Sequence, residues 1–252
     1  MPGWEVRVRS VPGSSHRFRF LVSVNSPKSH AGRDKILAMS GADETTIQDA
    51  LALLDYRRHV AELYREVRAG AEPEPAWHHW RKARDGLFAT HPQSPIPEAA
   101  RHDFIGISYY EYDPGCRVSA ECSSTEPQSF DIPTSEGHSM RFTRCGVTTF
   151  ELAGEALSLE LYWLDAYGGG LFVPFRDATC GETTYGAGRY LLDTVKGADL
   201  GMEGDHLVLD FNFAYNPSCS YDPRWVCPLA PPANRLEFPV EAGERAGSWQ
   251  VG

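Results

Sequence analysis

The sequence predicts a mainly β fold of the α+β class: an antiparallel β-barrel-like or curled-sandwich domain with an N-terminal helical hairpin. Three observations carry this expectation. The hydrophobic period is helical from residue 45 to about 92, it changes to two beyond Phe104, and turn residues then recur every ten or so positions with no further helical pattern between them. Many short strands without intervening helices favour a barrel or a tightly curled sandwich. At 252 residues and 42% hydrophobic, the chain can bury one sizeable core.

Ile47, Leu51, Leu54, Leu63 and Val67 follow helical spacing, Thr45 and Gln48 can form a capping box, and Gly70 offers a left-handed stop. A first helix is expected over about 45–69. After Glu72-Pro73-Glu74-Pro75, a second stripe of Trp77, Trp80, Ala83, Leu87 and Phe88 runs to His91-Pro92. The two helices make a hairpin over 45–92, its Trp and Leu stripe buried against an open end or face of the sheet. About nine strands follow, near 104–112, 117–123, 128–133, 140–144, 147–153, 156–164, 170–176, 188–194 and 206–214, with another near 235–240. In the segment 206–214, alternation puts Leu207, Leu209, Phe211 and Phe213 on a buried face. His206, Val208, Asp210, Asn212 and Ala214 then share the face that meets water, a partner or a ligand. The run Pro217 to Pro239, interleaved with Tyr221, Trp225 and Leu236, reads as an ordered wrapping loop.

A net charge of −10 argues against nucleic acid as a partner, because gripping phosphates needs clustered Lys and Arg. No run approaches the roughly 18 apolar residues of a membrane span, so no membrane partner is expected and a cytoplasmic protein is the default. The six cysteines, Cys116, Cys122, Cys145, Cys180, Cys219 and Cys227, are too dilute for a disulfide scaffold. Residues 1–38 stand apart: seven Lys and Arg face only Glu5 and Asp34. Two readings apply to them, a functional basic arm that could add an edge strand, and an extension upstream of a second start at Met39. The expected organisation is a basic extension over 1–38 and a single domain over 39–252, with its β region at 104–245.

Two blocks stand out, Thr183-Thr184-Tyr185-Gly186-Ala187-Gly188-Arg189-Tyr190 and Asp210-Phe211-Asn212-Phe213-Ala214-Tyr215-Asn216-Pro217. Read with Cys219-Ser220-Tyr221, Cys227-Pro228-Leu229 and the closing Ala242-Gly243-Glu244, they resemble a bacterial and archaeal family called domain of unknown function 1684. The resemblance covers roughly residues 51–245 and implies no activity.

Chemistry has one preferred location. Three glycines between Gly181 and Gly188 let backbone N–H groups approach a ligand, and Arg189 supplies a fork suited to carboxylate or phosphate. With Tyr185, Gly186, Gly188, Asn212, Tyr215 and Asn216 it is expected to bind a small polar or anionic metabolite at a barrel mouth. Asp210 and Glu182 are the candidates for acid or base work there, since a partly buried carboxylate can titrate near neutrality. The structural alternative pairs Arg189 with Asp193 or Asp210 and makes the polar cluster a fold-stabilising network within a non-catalytic interaction module. Cys219 and Cys227 are read as buried structural thiols, with a conditional disulfide or a metal site as weaker options, because zinc sites begin with cysteines two to four apart. His78 and His79 lie on different helix faces and suggest no site. A flavin is a third, weaker option; no motif specifies a cofactor or an oligomeric state, and neither a nucleophile elbow nor a dinucleotide turn is present.

Overall fold

The structure, a computed structural model, describes residues 46–247. The readings of residues 1–38 lie outside them. The first helix, α1 (Ile47–Ala69), starts one residue later than the spacing suggests: Thr46 is the cap and Asp49 its reciprocal partner, each side chain bonding the other's backbone N–H at 3.1 Å. Thr46 takes this role because its box partner is a carboxylate, which also complements the positive helix N-terminus. Gly70 ends the helix in an extended conformation, φ −67°, and not in the left-handed one expected. The chain turns there directly into α2 (Pro73–Thr90), with proline in its first turn, where a missing N–H costs nothing.

The hairpin packs unevenly. Trp77, Trp80, Arg84 and Phe88 of α2 are buried at spacings of three and four. Only Leu63, Tyr64 and Val67 of α1 are buried, whereas Ile47, Leu51 and Leu54 keep 65%, 56% and 52% of their surface. The expected inward stripe therefore holds for the second half of α1 alone.

Seven strands follow: β1 (Arg117–Pro133), β2 (Ser139–Leu152), β3 (Glu155–Leu164), β4 (Leu171–Phe175), β5 (Arg189–Asp193), β6 (Met202–Glu203) and β7 (His206–Asp210). They pair antiparallel in the order β5-β4-β3-β2-β1-β7-β6. The segments 117–123 and 128–133 are one strand, as are 140–144 and 147–153; register shifts at Ser124/Gln128 and Arg144/Gly146 mark where the sequence suggests breaks. The sheet curls without closing. Its outer strand β6 has two residues, and the approach of β5 to the chain after β7 is limited to a bridge between Tyr190 and Tyr215. The barrel form of the expectation is thus corrected to an open, curled sheet.

The strand expected over 206–214 stops at Asp210. Asp210 Oδ1 accepts the Asn212 N–H at 3.0 Å and folds Phe211–Phe213 into a 3-10 turn, so the assumed alternation ends there. Neither 104–112 nor 235–240 is a strand; each contributes a single bridge, Tyr109 to Glu244 and Arg176 to Arg235. One core lies between hairpin and sheet and is largely aromatic, including Trp77, Trp80, Phe142, Tyr190 and Phe213. The second fills the other face with Phe150, Leu159, Val173, Phe175, Leu209 and Phe211, roofed by Leu236 and Val240 of the wrapping segment. Asn234 pins that segment: its Oδ1 accepts Glu160 N–H at 2.7 Å and its Nδ2 donates to the carbonyls of Pro174 (2.7 Å) and Glu160 (3.0 Å). Among the described residues no helix is long and apolar enough to cross a membrane.

The end of the wrap passes between Phe211 and Ala214. Gly243 sits there at φ +78°, and a Cβ would stand 2.5 Å from the Phe211 carbonyl oxygen and 2.7 Å from that of Ala214. Gly243→Ala should therefore lower stability by more than about 3 kcal/mol, from strain and clash together. Gly86→Ala, in an open, exposed position of α2, should raise it by about 0.5–1 kcal/mol. Urea unfolding of both variants checks the pair; equal effects would contradict this account.

Candidate functional site

The residues singled out from the sequence do not meet at one mouth. The loop from Thr179 to Gly188 is bonded to itself: the Thr179 carbonyl accepts the N–H groups of Glu182, Thr183 and Thr184, all at 3.1 Å, Gly181 N–H bonds Thr184 and Gly188 N–H bonds Tyr185. Those amides, Gly188 among them, are spent within the loop and are not free for an anion. Gly188, φ +99°, is needed because a Cβ would lie 2.5 Å from the Phe175 carbonyl. Glu182 and Gly186 are exposed and Tyr185 is half-buried.

Arg189 is fully buried. Its guanidinium donates to Asp177 (3.3 Å) and to the carbonyls of Val240 (3.0 Å), Ala242 and Glu244 (3.4 Å), and lies 5.0 Å above the Phe175 ring. Neither Asp193 nor Asp210 is its partner. Asn212, also fully buried, is saturated by Asp113 N–H (2.9 Å), the Asp113 carbonyl (2.7 Å) and Asp210 Oδ1 (2.8 Å). Both side chains hold segments together.

Asp210 lines a separate groove of about 320 Å³ with Arg68, Arg117 and Glu203. It is 1% exposed, its Oδ2 has no partner among the described residues, and burial, opposed by its hydrogen bonds to Asn212, pushes its carboxyl up to about 6. Arg117 is engaged by Glu203 at 2.5 Å.

Tyr215 and Asn216 belong elsewhere, to a cavity of about 260 Å³ between the hairpin and the loops that leave the sheet. Its wall is mainly apolar and aromatic, with Tyr56 and Tyr64 from α1, Trp80 and Phe88 from α2, and Trp225 from the wrap. Four wall residues each keep a buried polar atom with no partner among the described residues: Trp80 Nε1, Tyr215 OH, Asn216 Oδ1 and Trp225 Nε1. The Asn216 amide is oriented by its other end, whose Nδ2 donates to Glu244 Oε1 (2.9 Å) and the Arg245 carbonyl (3.1 Å). Arg57, Arg84 and Lys196 also line the cavity, and no carboxylate does. The carboxylates that balance two of them stand behind the wall: Glu244 at 2.9 Å from Arg84 and Asp193 at 3.6 Å from Lys196. Sequence reasoning placed Tyr215 and Asn216 in a site but missed the cation set and the hairpin wall; the α2 stripe, with Arg84 among buried aromatics, was the available signal.

Two groupings were tested for metal ions. Asp55, His59 and His91 bring one ligand atom each within 4.8 Å of one another at the α1–α2 seam. The hydrogen bonds of His91 do not fit a metal. His91 Nδ1 accepts the Gln93 N–H at 3.0 Å, which leaves the proton on Nε2, the atom facing Asp55. His59 Nδ1 donates to the Asp55 carbonyl at 3.0 Å, so only its Nε2 is left free. Cys219 and Cys227 are buried free thiols, and among the described residues no third His, Cys, Asp or Glu joins them within ligating range. Cys180 is occupied by Asp177 and Thr184, and His206 is exposed on β7.

Fold and cavity define an α+β domain in which a helical hairpin closes one face of an open, curled antiparallel sheet. The family described as protein of unknown function (DUF1684) matches residues 102–245, more than half of the chain, and the chain belongs to it. The match begins beyond the hairpin, later than the residue 51 expected. The solution structure of an uncharacterised protein from Haloarcula marismortui is 42% identical over 66% of this chain and 89% of its own, with a TM-score of 0.49. No curated protein matches.

Arg189→Ala would strand the Asp177 carboxylate inside the protein and should cost about 3–5 kcal/mol, read by urea unfolding; a loss below about 1 kcal/mol would return Arg189 to a ligand role. Asp210 titrates near 6 when folded against an ordinary 3.8, so the folded state holds the extra proton between these values. Its contribution therefore favours folding below pH 4 and is lost as pH rises through 6, by on the order of 3 kcal/mol. Subtracting the stability profile of Asp210→Asn from that of the parent, between pH 4 and 8, should expose this slope; a flat difference contradicts it.

Proposed function

We propose that this protein binds a small organic anion with an apolar body in the cavity between hairpin and sheet. The observation that supports it is the make-up of the wall: aromatic and aliphatic side chains, three cations without a carboxylate, and four residues with an unpaired buried polar atom. Apolar walls with a few convergent polar groups are what small-molecule sites share. A volume of about 260 Å³ suits a single ring or a short chain. Within this reading Lys196, part-exposed at the wall, receives the anionic group, and the Tyr215 hydroxyl donates to it. The aromatic rings hold the body. Arg84 stays with Glu244 and sets the local potential without being released.

Acid or base catalysis by Asp210 or Glu182 is not part of this reading, since neither lines the cavity. The interaction-module reading draws on a different observation, the exposed row Ile47, Leu51 and Leu54 on α1.

The test is a thermal-shift and calorimetric titration with benzoate and octanoate, each against its neutral amide. The acids should raise the melting temperature and the amides should do so at least tenfold less effectively. Lys196→Gln and Tyr215→Phe should each weaken benzoate or octanoate by about tenfold, or about 1.4 kcal/mol. Acid and amide binding alike, or both variants binding as the parent does, would sink the reading.

A further inference from the structure

One cysteine of the cavity wall, Cys227, is paired with a second outside the lining, Cys219, and ligand binding uses neither. Cys219 lies in the 3-10 turn Ser218–Ser220 and Cys227 on the return of the same loop, each 5% exposed. Cys219 N–H donates to Cys227 Sγ at 3.3 Å, and the two thiols hydrogen-bond one another. Tyr185 OH lies 4.0 Å from Cys219 Sγ. Ser135 fixes the loop's return, its Oγ accepting Cys227 N–H and donating to the Trp225 carbonyl, both at 3.2 Å. Cys227 is itself part of the cavity wall.

We propose that Cys219 and Cys227 form a dithiol centre that reduces a small hydroperoxide and closes to an internal disulfide, with the cavity as the oxidant's route. Cys219 N–H already meets Cys227 Sγ at 3.3 Å across a short loop, a geometry from which a disulfide forms with little movement. Donors surround Cys219: the Cys227 thiol foremost, then the Ser135 and Tyr185 hydroxyls, and together they outweigh burial to hold its thiol down, at about 6. The same contact pushes the Cys227 thiol up. The pair thus divides into an attacking thiolate and a resolving thiol, the division that peroxide chemistry needs. Of the remaining cysteines, burial raises Cys116 to about 12 and also raises Cys145, whereas Cys122 is exposed and Cys180 is hydrogen-bonded to Asp177.

The steps balance. The Cys219 thiolate attacks the terminal oxygen of the hydroperoxide, the O–O bond breaks, and the leaving alkoxide or hydroxide takes a proton; Cys219 becomes a sulfenic acid. Cys227 sulfur then displaces water from it, losing its own proton as the S–S bond forms. Two thiols and one hydroperoxide give one disulfide, one alcohol or water, and one further water. The two electrons come from the thiols.

This centre stands independently of anion binding, and its test reads mass. The fully reduced full-length chain is treated with one equivalent of hydrogen peroxide, quenched at intervals by alkylation, digested and mapped without reductant. The Cys219 and Cys227 peptides should appear linked, at least tenfold faster than exposed Cys122 is lost. With dimedone present, Cys227→Ser should accumulate the adduct on Cys219, and Cys219→Ser should give none at Cys227. Absence of the linked peptide from the unsubstituted protein, or oxidation of Cys122 at the same rate, overturns the proposal without reference to either variant's folding.

Discussion

The structure hangs on a carboxylate that water does not reach. Glu244 is fully buried, and burial pushes its carboxyl above the ordinary range although three donors oppose this: Arg84 at 2.9 Å and the backbone and side-chain amides of Asn216 at 3.1 and 2.9 Å. Its own N–H bonds the Ala214 carbonyl, and the Tyr109 backbone bridges it from the opposite side. A buried carboxylate without these partners costs several kcal/mol, so helix α2, the turn after β7, the segment near Tyr109 and the end of the wrap must arrive together. That requirement joins residues 84, 109, 216 and 244 more tightly than apolar packing alone, which tolerates sliding. Arg189 repeats the arrangement one layer away, with Asp177 and the carbonyls of Val240, Ala242 and Glu244. Two arginine locks therefore hold the last turn of the chain.

These locks explain where the polar residues went. A saturated side chain such as Asn212 or Asn234 satisfies backbone groups that no strand ladder reaches: those of Asp113, ahead of β1, and those of Glu160 and Pro174, beyond the short β3–β4 pairing at Tyr162 and Trp163. Polarity in these blocks is the material of a fold with long irregular segments. The unpaired atoms of Tyr215, Asn216 and Trp225 lie at the one seam where hairpin, sheet and wrap meet without a shared hydrogen-bond pattern. A cavity opens there because bulky rings from three separate elements cannot interlock as tightly as neighbouring strands do.

The loop from Pro217 to Pro228 contributes both Trp225 and Cys227 to that seam, and it is tied to the sheet chiefly through Ser135 and the Tyr190 hydroxyl, which donates to the Pro228 carbonyl at 2.5 Å. The arginine locks flank it in sequence without including it. Change in the loop, by a ligand in the cavity or by chemistry at its thiols, can thus proceed while the carboxylate network stays closed.

The sequence by itself determined the class of fold, the hairpin, the position of most strands and the wrapping role of the Pro217–Pro239 run, because period and turn residues act over a few neighbouring positions. It singled out Tyr215 and Asn216, which line the cavity, for the same local reason: polar groups at the end of an apolar run. It misassigned the face of Asp210 and Asn212, since alternation along 206–214 assumes an unbroken strand and one aspartate cap ended it. The partners of Arg189 and Arg84, the burial of Glu244, the open sheet and the cavity were decided only by tertiary structure. Each depends on groups 12 to 160 positions apart in the chain, and burial, which turns such a meeting into a lock or a site, is a property of the packed protein and of no segment within it.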